Sequence, residues 1–206
     1  MADYTIISDI SSHIIKLLRE NMCPEPIPAE NKIEICSPAD EETDYILGLY
    51  LYDIREEGQV TIPPLNIPGK TGVKQPPRPY ALYYMIFVNG SSKTGLKSSD
   101  LQKIIGRAAQ IIMDHNRIVP SELQSRLEID EPSIAVAQAK ITLEEKFRVW
   151  QAVNKPYQVS LFYRMAPVFI SSGIMIDIPK VTEAAFDVQI TGGKEKRRWI
   201  PFSDFR

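Results

Sequence analysis

Residues 143–170, LEEKFRVWQAVNKPYQVSLFYRMAPVFI, decide how this chain is read. Phe147, Trp150 and Val153 recur every three residues, and Glu144, Glu145, Lys146 and Arg148 cover the rest, the pattern of a short amphipathic helix. Asn154-Lys155-Pro156 ends it, because proline has no N–H for the helical ladder and disfavours the helical basin for Lys155. A strand follows. Tyr157, Val159, Leu161, Tyr163 and Met165 fall on one side, with Gln158, Ser160, Phe162 and Arg164 on the other. The alternation runs on to Ile170, and Pro167 within it marks an edge or a bulge. This segment predicts packing, with Trp150 and Tyr163 in the core, and it carries no catalytic grouping.

Working outward, the chain reads as an α+β succession. Ile7, Ile10, Ile14 and Leu17 form the stripe of a first helix, capped by Thr5 or Asp3 and running to about Asn21. A proline-rich connection over residues 23–28 leads to a short strand at residues 32–36 and a long one at 45–54. The long one is apolar on both sides, so it should be central and covered on both faces. Residues 59–62 suggest its hairpin return, and residues 63–79, with six prolines and two glycines, an extended loop or arm. Residues 80–88 are again continuously apolar. Ser98, Ser99 and Asp100 offer an N-cap to a helix carrying Leu101, Ile104, Ile105, Ala108, Ile111 and Ile112. Residues 133–141 alternate as another strand.

Composition excludes several functions. At 206 residues and 44% hydrophobic, the chain can bury a real core, and one domain is expected for the bulk of it. A net charge of −2 argues against nucleic acid, which needs a basic face to offset phosphate. No run approaches the ~20 apolar residues of a membrane span, and Met1-Ala2-Asp3 does not open a signal peptide. Cys23 and Cys36 form neither a metal motif nor a disulfide framework, and two reduced thiols are expected over a single bridge. Gly69-Lys70-Thr71-Gly72 imitates the end of a phosphate loop, yet Pro64 stands where that motif needs glycine. Glu144 and Glu145 point about 100° apart on a helix and cannot share a substrate; the helix dipole explains them. His13 and His115 have no second ligand at metal spacing. No catalytic, metal or cofactor site is expected, and the chain reads as a non-enzyme.

The helix EEKFRVWQA followed by PYQVSLFYRMAPV is similar to the cap, or tail-terminator, protein of contractile injection systems, the phage-tail-like particles that include the antifeeding prophages. Residues 46–53, ILGLYLYD, lie where that family has its first long strand. Residues 76–80, PPRPY, leading into ALYYMIFV, match its proline-led second strand. The opening helix and the helix before Asp114-His115 also fall in the family's places. The resemblance runs in order over roughly residues 5–180; Arg78 departs from it, where a more apolar residue is expected. It implies a single terminator-like α+β domain over residues 1–180, a mixed or antiparallel sheet flanked by about three helices. It also implies a hexameric ring at the distal end of the particle, ending tube and sheath growth and holding the sheath extended. The implied partners are further copies of the chain, the inner tube and the sheath, with no nucleic acid and no membrane. Such a part is made in the cytoplasm, in a particle that can be released from the cell. A stand-alone peptide- or ligand-binding module without catalysis is the alternative.

Residues 181–206 lie beyond the resemblance and rest on chemistry alone. Phe186, Val188 and Ile190 alternate with Asp187 and Gln189 as in a strand, and Gly192-Gly193 then makes a hinge. The last sixteen residues carry five basic and two acidic side chains, with Trp199, Ile200, Phe202 and Phe205 among them. Aromatics beside arginines suit an interface anchor, so Phe186, Val188, Ile190, Arg197, Arg198, Trp199 and Phe202 are the candidate partner-binding residues. A terminal strand folded back, with Trp199 in its own core, is the competing expectation.

Overall fold

The structure is a computed structural model, which describes residues 4–40, 44–58, 65–66, 73–74, 76–90, 95–123, 132–171 and 175–176. Its main sheet has six strands: β1 (Ile33–Ile35), β2 (Leu47–Glu56), β5 (Arg78–Val88), β6 (Arg117–Ile118), β7 (Ile134–Gln138) and β8 (Ser160–Ile170). They lie in the order β1-β2-β5-β8-β7-β6, parallel only between β1 and β2 and antiparallel elsewhere. Three helices flank it, α1 (Ile6–Met22), α2 (Ser98–Asp114) and α3 (Leu143–Ala152). The expected α+β fold with a mixed sheet is therefore the one observed.

The helices divide between the two faces. Ile6, Ile10, Ile14, Leu18 and Met22 recur every four residues and bury one side of α1. Ile7 and Leu17, expected on the stripe, flank it and are only partly buried. With Ile104, Ala108, Ile111 and Ile112 of α2 they close over Leu47, Leu49, Leu82, Tyr84, Ile86, Met165 and Val168 of the sheet. On the opposite face α3 seals a smaller, aromatic core of Trp150 with Phe87, Phe162, Met85, Tyr45 and Cys36. Trp150 and Tyr163 are both buried as expected, at 1% and 8% exposure, but on opposite faces of the sheet.

Local chemistry starts and stops these elements, with some differences from expectation. Thr142 caps α3: its Oγ1 accepts from the Glu145 N–H (3.2 Å), and the Glu145 carboxylate accepts from the Thr142 N–H (2.7 Å). α2 begins one residue earlier than expected, after Lys97, whose N–H donates to the Asp100 carboxylate (3.2 Å). Ser98 and Ser99 are thus its first helical residues rather than its cap. Thr5 makes no side-chain cap to α1; instead the Ser8 hydroxyl donates to the Thr5 carbonyl (2.7 Å). β8 lies between β5 and β7, so it is central. Pro167 sits at a bulge, where the register with β5 slips between Tyr80–Val168 and Leu82–Met165 and pairing with β7 has ended at Ala166. That position spares the ladder the N–H that proline lacks.

A second sheet adds strand pairing to residues 63–79, expected as an extended loop or arm. β3 (Leu65–Asn66), β4 (Val73–Lys74) and β9 (Met175–Ile176) pair in the order β3-β4-β9. That order repeats β2-β5-β8, of which the three strands are the continuations along the chain. The centre of the main sheet is thereby prolonged into a three-stranded arm. The pairing itself was not expected, because two-residue strands among prolines carry no periodicity and long-range pairing alone creates them. Arg78, the departure from the family pattern, opens β5 as an exposed residue and pairs with Glu56 across the ladder (3.2 Å). Residues 59–62 and 69–72 lie outside the described residues.

Candidate assembly site

The histidines and the paired glutamates of α3 are engaged in local structure. His13 Nε2 lies 3.8 Å from a Glu122 carboxylate oxygen, and His115 Nδ1 lies 3.0 Å from the Ile111 carbonyl in its own helix. Glu144 pairs with Arg148 one turn on (2.6 Å), while Glu145 is the α3 cap and is held below its ordinary pKa by the bonds from Thr142. Cys23 and Cys36 are free thiols. Burial, reinforced by Asp40 and Glu34, pushes Cys36 up to about 12, which removes it as a nucleophile. Among the described residues no group of three metal-ligating side chains occurs, and no helix is long and apolar enough to cross a membrane.

Among the described residues, the α3 face contains a groove with the size of a ligand site. Because α3 has only ten residues, it leaves part of the sheet uncovered. Small Ala137 and Ala139 on and just beyond β7 open a groove of about 570 Å³, walled by Tyr52, Tyr83, Arg55 and Arg164. Its guanidinium groups are already compensated. Arg55 bonds Asp53 (2.6 Å) and lies over the Tyr83 ring (4.7 Å), Arg164 pairs with Glu57, and Arg148 pairs with Glu144. Such a groove holds its own residues in place and leaves little unmatched charge for an anionic substrate.

Among the described residues, the sheet edges and the arm carry the backbone groups that could take a partner strand. At the β1 edge Arg19 reaches across from α1 and donates to the Ile33 carbonyl through Nε and Nη2 (3.1 and 2.7 Å), which blunts that edge. β1 accompanies β2 only over residues 47–49, whereas β5 follows β2 to Glu56. The outer side of β2 over residues 51–56 therefore has no ladder partner among the described residues. Sequence reasoning missed this edge, because strand length is legible in a sequence and the length of its neighbour's cover is not. β8, at the centre of the sheet, has ladder neighbours on both sides, β5 and β7. The sequence-predicted tail residues Phe186, Val188, Ile190, Arg197, Arg198, Trp199 and Phe202 all lie outside the described residues.

Comparison with known proteins places this geometry. The Pvc16 N-terminal domain family matches residues 9–183, and the chain belongs to that family. Two solved structures share its fold, each with a TM-score of 0.62 and 16% sequence identity. One is the sheath/tube terminator, in the extended state, of the extracellular contractile injection system PVC, and the likeness covers 90% of this chain. The other is the tube-terminating cap of the anti-feeding prophage, and the likeness covers 88%. This chain spans less than two thirds of either, 64% and 61% respectively. No curated protein matches the chain at a significant level.

Proposed function

We propose, from membership of the Pvc16 N-terminal domain family, that this chain is a non-enzymatic cap subunit of a contractile injection system. Six copies form a ring at the distal end of the particle, cover the last free surfaces of the tube and sheath, and so end their growth. By joining tube to sheath the ring also holds the sheath in its extended state. The observation that carries this reading is the shared fold with two terminating caps over about nine-tenths of the chain. Three features support it. The arginines Arg55, Arg148 and Arg164 are held in ion pairs, the guanidinium groups of the groove are compensated internally, and the described surface offers a backbone edge and an arm. Backbone edges join proteins by strand addition without a deep pocket. The partners are further copies of this chain, tube and sheath, with no nucleic acid and no cofactor. Residues 1–180 make the cap domain, and residues 181–206 extend it toward a partner. Synthesis is cytoplasmic, as for the rest of such a particle.

The test is to assemble tube and sheath with and without the chain and to measure particle lengths by electron microscopy. With it, particles should have one uniform length and a closed end; without it, lengths should spread and ends stay open. Identical length distributions would overturn the proposal.

A further inference from the structure

The edge of β2 over residues 51–56, which has no ladder partner among the described residues, has two distinct sides. The Glu57 N–H bonds the Pro79 carbonyl (2.8 Å), so residues 53 and 55 turn their backbone groups toward β5 and residues 54 and 56 turn theirs outward. The Cys36 N–H bonds the Leu49 carbonyl (3.1 Å), which by the same alternation turns residue 51 outward too. On one face of this edge stand Asp53 and Arg55, beside the groove. On the other stand Leu51, packed partly against the α1/α2 core, and Ile54, 43% exposed. A half-exposed isoleucine beside open backbone groups is an aggregation hazard unless assembly covers it.

We propose that residues 185–191 of one copy add as a strand to residues 51–56 of β2 in the next copy around the ring. This rests on the ring reading and gives it a contact. AFDVQIT alternates in the sense the edge requires. Phe186, Val188 and Ile190 continue the apolar side beyond Leu51 and Ile54, while Asp187 and Gln189 fall on the side of Arg55. The core of the donated segment and the open edge are both about 17 Å long. The donor departs from the arm: β9 ends at Ile176 beside Val73, beyond the main sheet, and ten further steps to Phe186 reach about 33 Å. Each copy donates one strand and receives one, a head-to-tail contact of the kind that closes into a ring by rotation.

The experiment uses full-length chain co-expressed with tube and sheath, as single variants Ile54→Cys and Val188→Cys. Wild-type chain, with its native Cys23 and Cys36, sets the background. Under mild oxidation, particles containing both variants should give a disulfide-linked dimer on a non-reducing gel, and neither variant alone should. Phe186→Cys and Ile190→Cys in place of Val188→Cys cover a slip of two residues in register. A link formed only within one chain, in the double variant, would put the tail on its own edge and overturn the proposal. No link with any of the three donors would overturn it as well. Independently, Ile54→Pro removes an outward N–H while sparing the ladder to β5, so circular dichroism should stay unchanged and the cap should be lost from particles. Normal retention of that variant contradicts strand donation. Particles of uniform length without the cross-link would sink this contact and leave the cap function standing.

Discussion

The two faces of the central sheet are closed by different means. One lies under two seventeen-residue helices, and its buried side chains are aliphatic apart from Tyr84 and Tyr163. The other lies under ten residues of α3, and four of its six buried side chains are aromatic. Trp150 meets Phe87 edge to face at 5.8 Å, and its Nε1 donates to the Ser160 hydroxyl (3.1 Å). A small helix can seal a face only if each side chain covers much area and is held in orientation, which aromatic rings in T-shaped contact achieve. The large core spreads its stability over many replaceable methyl groups; the small one concentrates it.

The largest expected effect tests that contrast. Trp150→Ala should cost about 3–5 kcal/mol, near the top of the range for buried truncations, and should lower the melting temperature by roughly 10 °C. Ile14→Ala, fully buried on the other face, should cost nearer 2 kcal/mol, because neighbouring aliphatic side chains can close on the gap. Chemical denaturation of both variants measures the difference. An Ile14→Ala cost equal to or above that of Trp150→Ala would break the comparison.

A second substitution probes how tightly the aromatic side is filled. A Cβ at Gly48 would lie 2.4 Å from Phe87 Cζ and 2.9 Å from Cys36 Sγ. Phe87 is itself wedged between Tyr45 and Trp150, so its ring has little room to move. Gly48→Ala should destabilise by about 1–3 kcal/mol through overpacking. A neutral result would mean that the aromatic core is looser than its contacts suggest.

Alkaline pH should loosen both faces. Burial pushes Cys36, Tyr52 and Tyr84 up to about 12, from ordinary values of 9.0 for the thiol and 10.0 for the phenols. The folded state excludes the ionised forms, so the unfolded chain loses its protons first as pH rises. Stability from these groups is complete below pH 9, declines from there with Cys36 and from pH 10 with the tyrosines, and is gone above about 12. Cys36→Ala should delay the onset toward pH 10. Tyr84→Phe should remove the Tyr84 share of the contribution from the α1/α2 face, where its hydroxyl bonds Ser11 (2.7 Å), and leave that of buried Tyr163. Melting curves between pH 8 and 12 read both effects.

Much of the body was legible in the sequence, for reasons visible in particular residues. Proline 156 and the spacing of Phe147, Trp150 and Val153 delimit α3 without tertiary help, although Phe147 is 41% exposed and leans on Tyr157 (4.6 Å) rather than entering the core. The long apolar runs of β2 and β5 announce central strands. The arm, the two-residue β6 and the partial cover of β2 were not legible, because each exists only through pairing with a distant segment. The candidate site suffered most from this. Sequence offers residues 185–191 as an alternating strand, and only the sheet register reveals the edge to which its donation is proposed.

The smallest expected effect on stability concerns that tail. Deleting residues 192–206 should leave the melting temperature of the body unchanged, since Gly192-Gly193 separates them from what precedes, yet it should weaken incorporation into particles. Loss of folding would return Trp199 to the core of its own domain.

The distal end of the particle is where the cap function is tested most directly. Electron microscopy of assembled particles carrying this chain, averaged over the distal tip, should show six copies in one closed ring against the last tube and sheath layer. A tip that lacks the chain, or holds a single copy, would contradict the cap function.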